Sequence, residues 1–174
     1  MATINIAGIA NDSIVDGPGI RATIFAQGCP HHCVGCHNPE THSFGTGQER
    51  SVAELFSLVK SNPLVRGVTF SGGDPFAQSE GFTQLAILLK NAGYEIAAYT
   101  GYTYEELVAP AQRELLEHID ILIDGRFILA QRSLNLLFRG STNQRIIDVP
   151  ASLKAGTPIL STQKRWGYDN ANEI

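Results

Sequence analysis

Apolar residues fall in short runs along this chain, each ended by a glycine-rich or polar turn. The run Arg21 to Ala26 leads to a cysteine-rich loop, and Gly67 to Phe70 leads to Ser71-Gly72-Gly73-Asp74-Pro75. Glu95 to Ala98 leads to Tyr99-Thr100-Gly101-Tyr102, and Ile119 to Ile123 leads to Asp124-Gly125-Arg126. Helical periods lie between. Ser51 and Glu54 read as a capping box ahead of Val52, Leu55, Phe56 and Val59. Phe82, Leu85, Ala86, Leu88 and Leu89 share one helical face, stopped by Gly93. Thr103 and Glu106 read as a second capping box, and Pro110 either breaks that helix or starts another. A last apolar run, Gln144 to Val149, precedes Pro150.

Strands alternating with helices predict parallel βαβ units in an α/β fold. Loops at the C-terminal ends of such strands build active sites. The four turns all fall at that end, so the cysteines, the Gly-Gly turn, Tyr99–Thr100 and Asp124 are expected on one rim. A complete eight-unit barrel takes about 250 residues. At 174 residues a partial, open-sided (β/α) barrel of parallel strands is expected, as a single domain over 1–174. The tail from Gly167 to Ile174 is polar and is expected to be mobile.

Composition narrows the classes. Apolar residues make up 43% of the chain, enough for a core that needs no metal or disulfide. The net charge of −4 and the lack of a basic run argue against nucleic acid as a partner. No stretch approaches the roughly 18 apolar residues of a membrane span. Residues Met1 to Asp16 carry neither a basic n-region nor an apolar core, so no secretory leader is expected. Clustered cysteines with no distant partner are not a disulfide framework, and a reducing cytoplasm fits them.

The chain has three cysteines, Cys29, Cys33 and Cys36, spaced C-x3-C-x2-C. Thiolates in such a cluster hold zinc or an iron–sulfur cluster. Either site, held wholly by protein, takes four ligands. One reading is a structural zinc site completed by His31, His32 or His37. The other is a cubane with one iron left open. Other motifs also read two ways. Ser71 to Pro75 is a βα turn, or a glycine cradle that lets a ligand reach the main chain. Asp74 either accepts from a ligand or caps the next helix. Asp124 at a strand end is a rim carboxylate or a cap. Asp16-Gly17-Pro18-Gly19 reads as a turn, Arg21 as a strand-start surface residue, and Tyr99 and Thr100 as rim packing. Arg139 to Arg145 reads as a hairpin or loop. His42 and His118 read as ordinary loop and helix-end residues.

Taken with their flanks, these motifs resemble a known family. Asp16-Gly17-Pro18-Gly19-Ile20-Arg21 and Gly28-Cys29-Pro30-His31-His32-Cys33-Val34-Gly35-Cys36-His37-Asn38-Pro39-Glu40 resemble a radical S-adenosylmethionine (SAM) enzyme. Adding Ser71 to Pro75, Tyr99 to Thr103, Ile123 to Gly125 and Arg139-Gly140-Ser141-Thr142-Asn143-Gln144, the chain resembles the activating components of anaerobic (class III) ribonucleotide reductases. The likeness runs from about Asp16 to Val149.

The resemblance implies a partial barrel of the radical SAM type. It also implies a [4Fe–4S] cluster on Cys29, Cys33 and Cys36, with SAM on the fourth iron. Reductive cleavage of SAM would yield a 5′-deoxyadenosyl radical, which takes hydrogen from a backbone glycine of the large reductase subunit. Implied SAM contacts are Gly35, Cys36 and His37 toward the adenine, Gly72, Gly73 and Asp74 toward the amino group, and Thr100 and Asp124 on the rim. A low-potential donor such as flavodoxin is implied as the electron source. An activase of another glycyl radical enzyme, such as pyruvate formate-lyase, is the neighbouring alternative. Two positions depart from the relatives' pattern. Gly35 replaces a bulky apolar residue common before the third cysteine, and Tyr99 stands where the formate-lyase activase has aspartate.

Overall fold

The computed structural model describes residues 2–168 of the chain. Its centre is one seven-stranded sheet in the order β3-β1-β2-β4-β5-β6-β7. The strands are β1 (Thr3–Ser13), β2 (Arg21–Ala26), β3 (Gln48–Ser51), β4 (Gly67–Gly72), β5 (Glu95–Tyr99), β6 (Ile121–Asp124) and β7 (Arg145–Asp148). The four apolar runs are β2, β4, β5 and β6, and they pair parallel to one another. The expectation of parallel strands fails at the edges: β1 pairs antiparallel with β2 and β3, and β7 pairs antiparallel with β6. No helical crossover carries the chain from β1 to β2 or from β6 to β7, and a parallel pair would need one.

Four helices accompany the sheet: α1 (Val52–Lys60), α2 (Ser79–Asn91), α3 (Pro110–Leu116) and α4 (Val149–Ala155). The Ser51 hydroxyl accepts the Glu54 amide at 3.2 Å and so caps α1. The expected second box is a single 3-10 turn, with Glu106 accepting the Thr103 amide at 2.8 Å. Pro110 starts α3 rather than breaking a helix, because its missing amide costs nothing at the first position. No helix among the described residues is long and apolar enough to cross a membrane.

Alternate strand residues separate two cores. Ala22, Ile24, Val68, Phe70, Ile96, Ala98 and Leu122 face the helices, packed with Leu55, Phe82, Leu85, Leu89 and Leu115. The opposite face buries Ala97, Ile121 and Ile123 beneath Trp166, with Tyr99 and Phe138 alongside. Arg21 belongs to this second face. It was expected at the surface, yet it is 1% exposed. Its guanidinium donates to Thr69 Oγ1 at 2.9 Å, Glu95 Oε1 at 2.9 Å and the Val68 carbonyl at 3.1 Å, and lies over the Trp166 ring. Four partners offset part of the desolvation that a buried charge suffers, and burial still holds its pKa below the ordinary value despite Glu95. Most of the expected polar tail, residues 169–174, lies outside the described residues.

Candidate active site

Parallel pairing brings the ends of β2, β4, β5 and β6 to one edge, since Ala26 pairs with Gly72, Phe70 with Ala98 and Tyr99 with Ile123. A cleft of about 790 Å³ opens there. Cys29, Cys33, Cys36, His37, Gly72, Gly73 and Thr100 all line it. Gly35, Asp74 and Asp124 do not.

The cysteine loop is held by main-chain bonds at its ends. Gly28 and Cys29 amides donate to the carbonyls of Thr41 and His42, at 2.7 and 3.1 Å. Within it, the Cys36 amide donates to the Cys33 carbonyl at 3.2 Å, and the Asn38 amide reaches Cys36 Sγ at 3.4 Å. Cys29 is the buried member, and burial raises its thiol above the ordinary range despite amide contacts from His31 and His32. A cationic iron ligand reverses that penalty by holding the sulfur ionised.

The Gly-Gly turn is as much packed as open. A Cβ on Gly73 would lie 2.2 Å from the Gly28 carbonyl oxygen, and one on Gly72, where φ is +92°, 2.5 Å from the Ala26 nitrogen. The amides of Gly73 and Asp74 donate to Ala26 and Gly28 carbonyls at 2.7 and 2.8 Å. With those amides engaged, what the turn presents to a ligand is carbonyl oxygen, an acceptor suited to an amino group.

Asp74 is fully buried and works inside the protein. It accepts the Phe76 amide at 2.9 Å, the Thr100 hydroxyl at 2.8 Å, the Gly101 amide at 3.0 Å and His31 Nε2 at 2.7 Å. Asp124, 1% exposed, accepts the Tyr104 amide at 2.7 Å and two Arg145 nitrogens, at 3.0 Å from Nε and 2.5 Å from Nη2. Arg145 also binds Glu105, and both carboxylates raise its pKa while Glu105 is lowered in turn. Neither aspartate directs a side chain into the cleft.

The Arg139–Arg145 segment is the end of the connection from β6 to β7. Gln144 Oε1 accepts the Gly140 and Ser141 amides at 2.8 and 3.1 Å, and its Nε2 donates to the Gly125 carbonyl. Phe138 has φ +59°, and its carbonyl accepts the Tyr99 hydroxyl at 2.8 Å. Burial raises the pKa of that hydroxyl. Tyr99, at the position that departs from the relatives, thus ties β5 to this loop. Gly35 packs beneath Leu129 and Phe127, a Cβ there meeting Leu129 Cδ1 at 3.0 Å. The ring beside His37 is Phe127, 5.3 Å between centroids, and Phe127 lines the cleft. Sequence reasoning missed Phe127, Phe138 and Arg139 as lining residues, since nothing marks them apart from their loop.

Of the histidines considered for zinc, His31 bonds Asp74, while His32 lies edge-on to His42 and His37 packs by Phe127. No group of three or more His, Cys, Asp or Glu among the described residues is placed to hold a single metal ion. Three thiols facing one cleft suit a cubane, whose irons sit on separate corners.

A family model described as a 4Fe-4S single cluster domain matches residues 15–147. That span holds all three cysteines and every strand end of the cleft, so the chain is by class a 4Fe-4S cluster domain. The anaerobic ribonucleoside-triphosphate reductase-activating protein of Vibrio cholerae is 40% identical over 141 residues, 76% of this chain and 90% of that protein. Proteins of the same name from Pasteurella multocida and Escherichia coli K12 are 39% and 34% identical, covering 76% and 75% of this chain and 90% of each relative. The chain belongs to the family of anaerobic ribonucleoside-triphosphate reductase-activating proteins.

Proposed function

We propose that this chain is a radical SAM activase that places a glycyl radical on the large subunit of an anaerobic ribonucleotide reductase. One observation carries the reading: three cysteines, with no fourth in the chain, face one open cleft beside the Gly72–Gly73 turn. Cys29, Cys33 and Cys36 would hold a [4Fe–4S] cluster and leave one iron for SAM. When bound, the cluster and SAM supply one-electron cleavage of the sulfonium carbon–sulfur bond.

The chain's own residues bind, orient and shield. Carbonyl oxygens of the Gly-Gly turn accept from the SAM amino group. His37 and Phe127, rings tilted 59° to one another, offer aromatic surface to adenine. Phe25, Phe138 and Leu136 line the cleft with apolar surface. The rim stays open on one side, as a peptide loop of a folded partner requires. The parallel centre of the sheet with this rim is what supports reading the fold as a partial radical SAM barrel in one domain. A low-potential donor such as flavodoxin and a cytoplasmic setting belong to the same proposal.

The test is anaerobic reconstitution followed by reaction with SAM, reductant and the large reductase subunit. About four irons and four sulfides per chain are expected, with a glycyl radical signal on the reductase by electron paramagnetic resonance. A signal on pyruvate formate-lyase instead would move the chain to the neighbouring activase class. Stoichiometric zinc without sulfide would reduce it to a metal-binding module.

A further inference from the structure

We infer that His31 is a positioning residue, which with Asp74 locks the cysteine loop onto the Gly-Gly turn and the Thr100–Gly101 turn. The inference rests on the proposed SAM site; His31 lines that cleft, so the exchange readout below, taken without SAM, is what separates positioning from direct contact. His31 sits between Cys29 and Cys33, and its side chain is 3% exposed. A buried imidazole in a loop otherwise bordered by open cleft has to be held by something. Three contacts hold it.

The first is Asp74. His31 Nε2 lies 2.7 Å from Asp74 Oδ2. That oxygen also accepts the Thr100 hydroxyl at 2.8 Å and the Gly101 amide at 3.0 Å. A carboxylate so placed is an acceptor, so His31 donates from Nε2, and the tautomer is fixed by its partner. The second is Gly101. A Cβ there would lie 2.3 Å from His31 Cδ2 and 2.7 Å from Nε2, so the ring occupies the space a side chain would fill. The third is Tyr102, whose ring meets the imidazole edge-on at 4.5 Å between centroids.

These contacts join three loops from three strands at one carboxylate. Asp74 follows β4 and carries the Gly-Gly turn directly before it. Thr100 and Gly101 follow β5. His31 comes from the loop after β2. The Asp74 amide in addition donates to the Gly28 carbonyl at 2.8 Å, one residue before Cys29. Side chain and main chain therefore clamp the cysteine loop from both sides of Cys29. Removing the imidazole leaves a buried carboxylate short of one donor and frees the middle of the loop. The relative position of the three thiols and the turn carbonyls would then be set less sharply. Loss of one charge-assisted bond of this kind corresponds to about a tenfold or larger change in an equilibrium that depends on it.

The test uses the full chain with His31→Ala, His31→Gln and Gly101→Ala. Glutamine places its amide nitrogen the same number of bonds from Cβ as Nε2 of histidine, so His31→Gln keeps the donor. Two readouts are taken. Hydrogen exchange on the cluster-free chain should show amides of residues 29–36 exchanging about tenfold faster in His31→Ala and Gly101→Ala, with β4 and β5 unchanged and His31→Gln restored. On the reconstituted chain, the change that SAM makes in the resonance spectrum of the reduced cluster should require about tenfold more SAM in His31→Ala and Gly101→Ala, and normal SAM in His31→Gln. Unchanged exchange in the loop, or a His31→Gln variant no better than His31→Ala, overturns the inference. A wild-type chain whose cluster ignores SAM overturns the proposed function instead, and the exchange readout still decides the role of His31.

Discussion

Gly73 lies directly against Gly28: a Cβ on Gly73 would sit 2.2 Å from the Gly28 carbonyl oxygen and 2.9 Å from that of Thr41. Both obstacles are backbone, so neither can step aside. The glycine is required for the Gly-Gly turn to approach the start of the cysteine loop, whatever ligand the turn later meets. Gly73→Ala is expected to destabilise the cluster-free chain by about 1–3 kcal/mol. Gly8→Ala, in β1 with nothing within 4 Å of the added Cβ, is the control. It should stay within about 0.5 kcal/mol of the parent. Chemical denaturation of the two variants checks the contrast.

Both faces of the sheet are packed by side chains, and Cys33 and Cys36 belong to neither core. Cys33→Ala and Cys36→Ala, at half-buried positions, should therefore change the stability of the cluster-free chain by less than about 0.5 kcal/mol. Each should nonetheless lose the iron–sulfur absorption after reconstitution. In the cluster-free chain Cys29 should alkylate most slowly of the three, being buried with its thiol pushed up. Mass spectrometry of partly alkylated protein reads that order directly. Equal rates at all three would contradict the burial of Cys29.

Asp124 holds the end of β6 to Arg145 of β7 and to the amide of Tyr104. Removing it strands the buried Tyr104 amide, while Arg145, 31% exposed, keeps Glu105. Asp124→Ala should cost about 1–3 kcal/mol of stability. Asp124→Asn, which keeps the shape, should fold and bind SAM with unchanged affinity, since the side chain stays outside the cleft. A marked loss of SAM affinity in a fully folded Asp124→Asn would return this residue to the ligand.

How far the sequence was legible follows from what each residue depends on. β2, β4, β5 and β6 are largely buried, and their apolar residues announce themselves. β1 mixes Asn5, Asn11 and Asp12 with Ile4, Ile6 and Ile9, and β3 is Gln-Glu-Arg-Ser; both are strands because a neighbour's backbone pairs with them. No local pattern carries that. In the site, cysteine spacing and the Gly-Gly turn are local signals and were readable. Apart from the Phe76 amide on Asp74, the hydrogen-bond partners of Asp74, Asp124 and Arg21 lie 20 to 74 residues away in sequence. A carboxylate at a strand end reads the same whether it awaits a ligand or an arginine.

Glu95 gives the fold an acid-sensitive joint. Burial alone would raise its pKa, but hydrogen bonds from Arg165 and Arg21 outweigh it and hold the carboxyl below its ordinary value of 4.5. A depressed carboxyl contributes stability above its unfolded pKa and loses it as pH falls through the folded value. Unfolding free energy should thus fall as pH drops below about 4.5. In Glu95→Gln that part of the acid dependence should be missing, with lower stability at neutral pH. Denaturation midpoints from about pH 6 to about pH 3 measure it. An identical acid profile in parent and variant would dismiss the joint.

Trp166 closes the face of the sheet that the helices leave uncovered. It is the chain's one tryptophan, 1% exposed, packed on Ala97, Ile121 and Ile123, with Phe138 edge-on at 5.4 Å and Arg21 over its ring at 5.2 Å. Its neighbour Arg165 bonds Glu95, so the segment is fixed by packing and charge together. Its contacts reach Phe138 and, through the Phe138 carbonyl, Tyr99, so the plug also supports one wall of the cleft. Trp166→Ala should cost about 3–5 kcal/mol, followed by circular dichroism. Trp166→Phe should recover most of it, because a ring still covers the apolar floor. Parent fluorescence should be blue-shifted and should move red in the same step as the circular dichroism signal is lost. A red, water-like emission from the folded parent would mean that the second core is not closed as described.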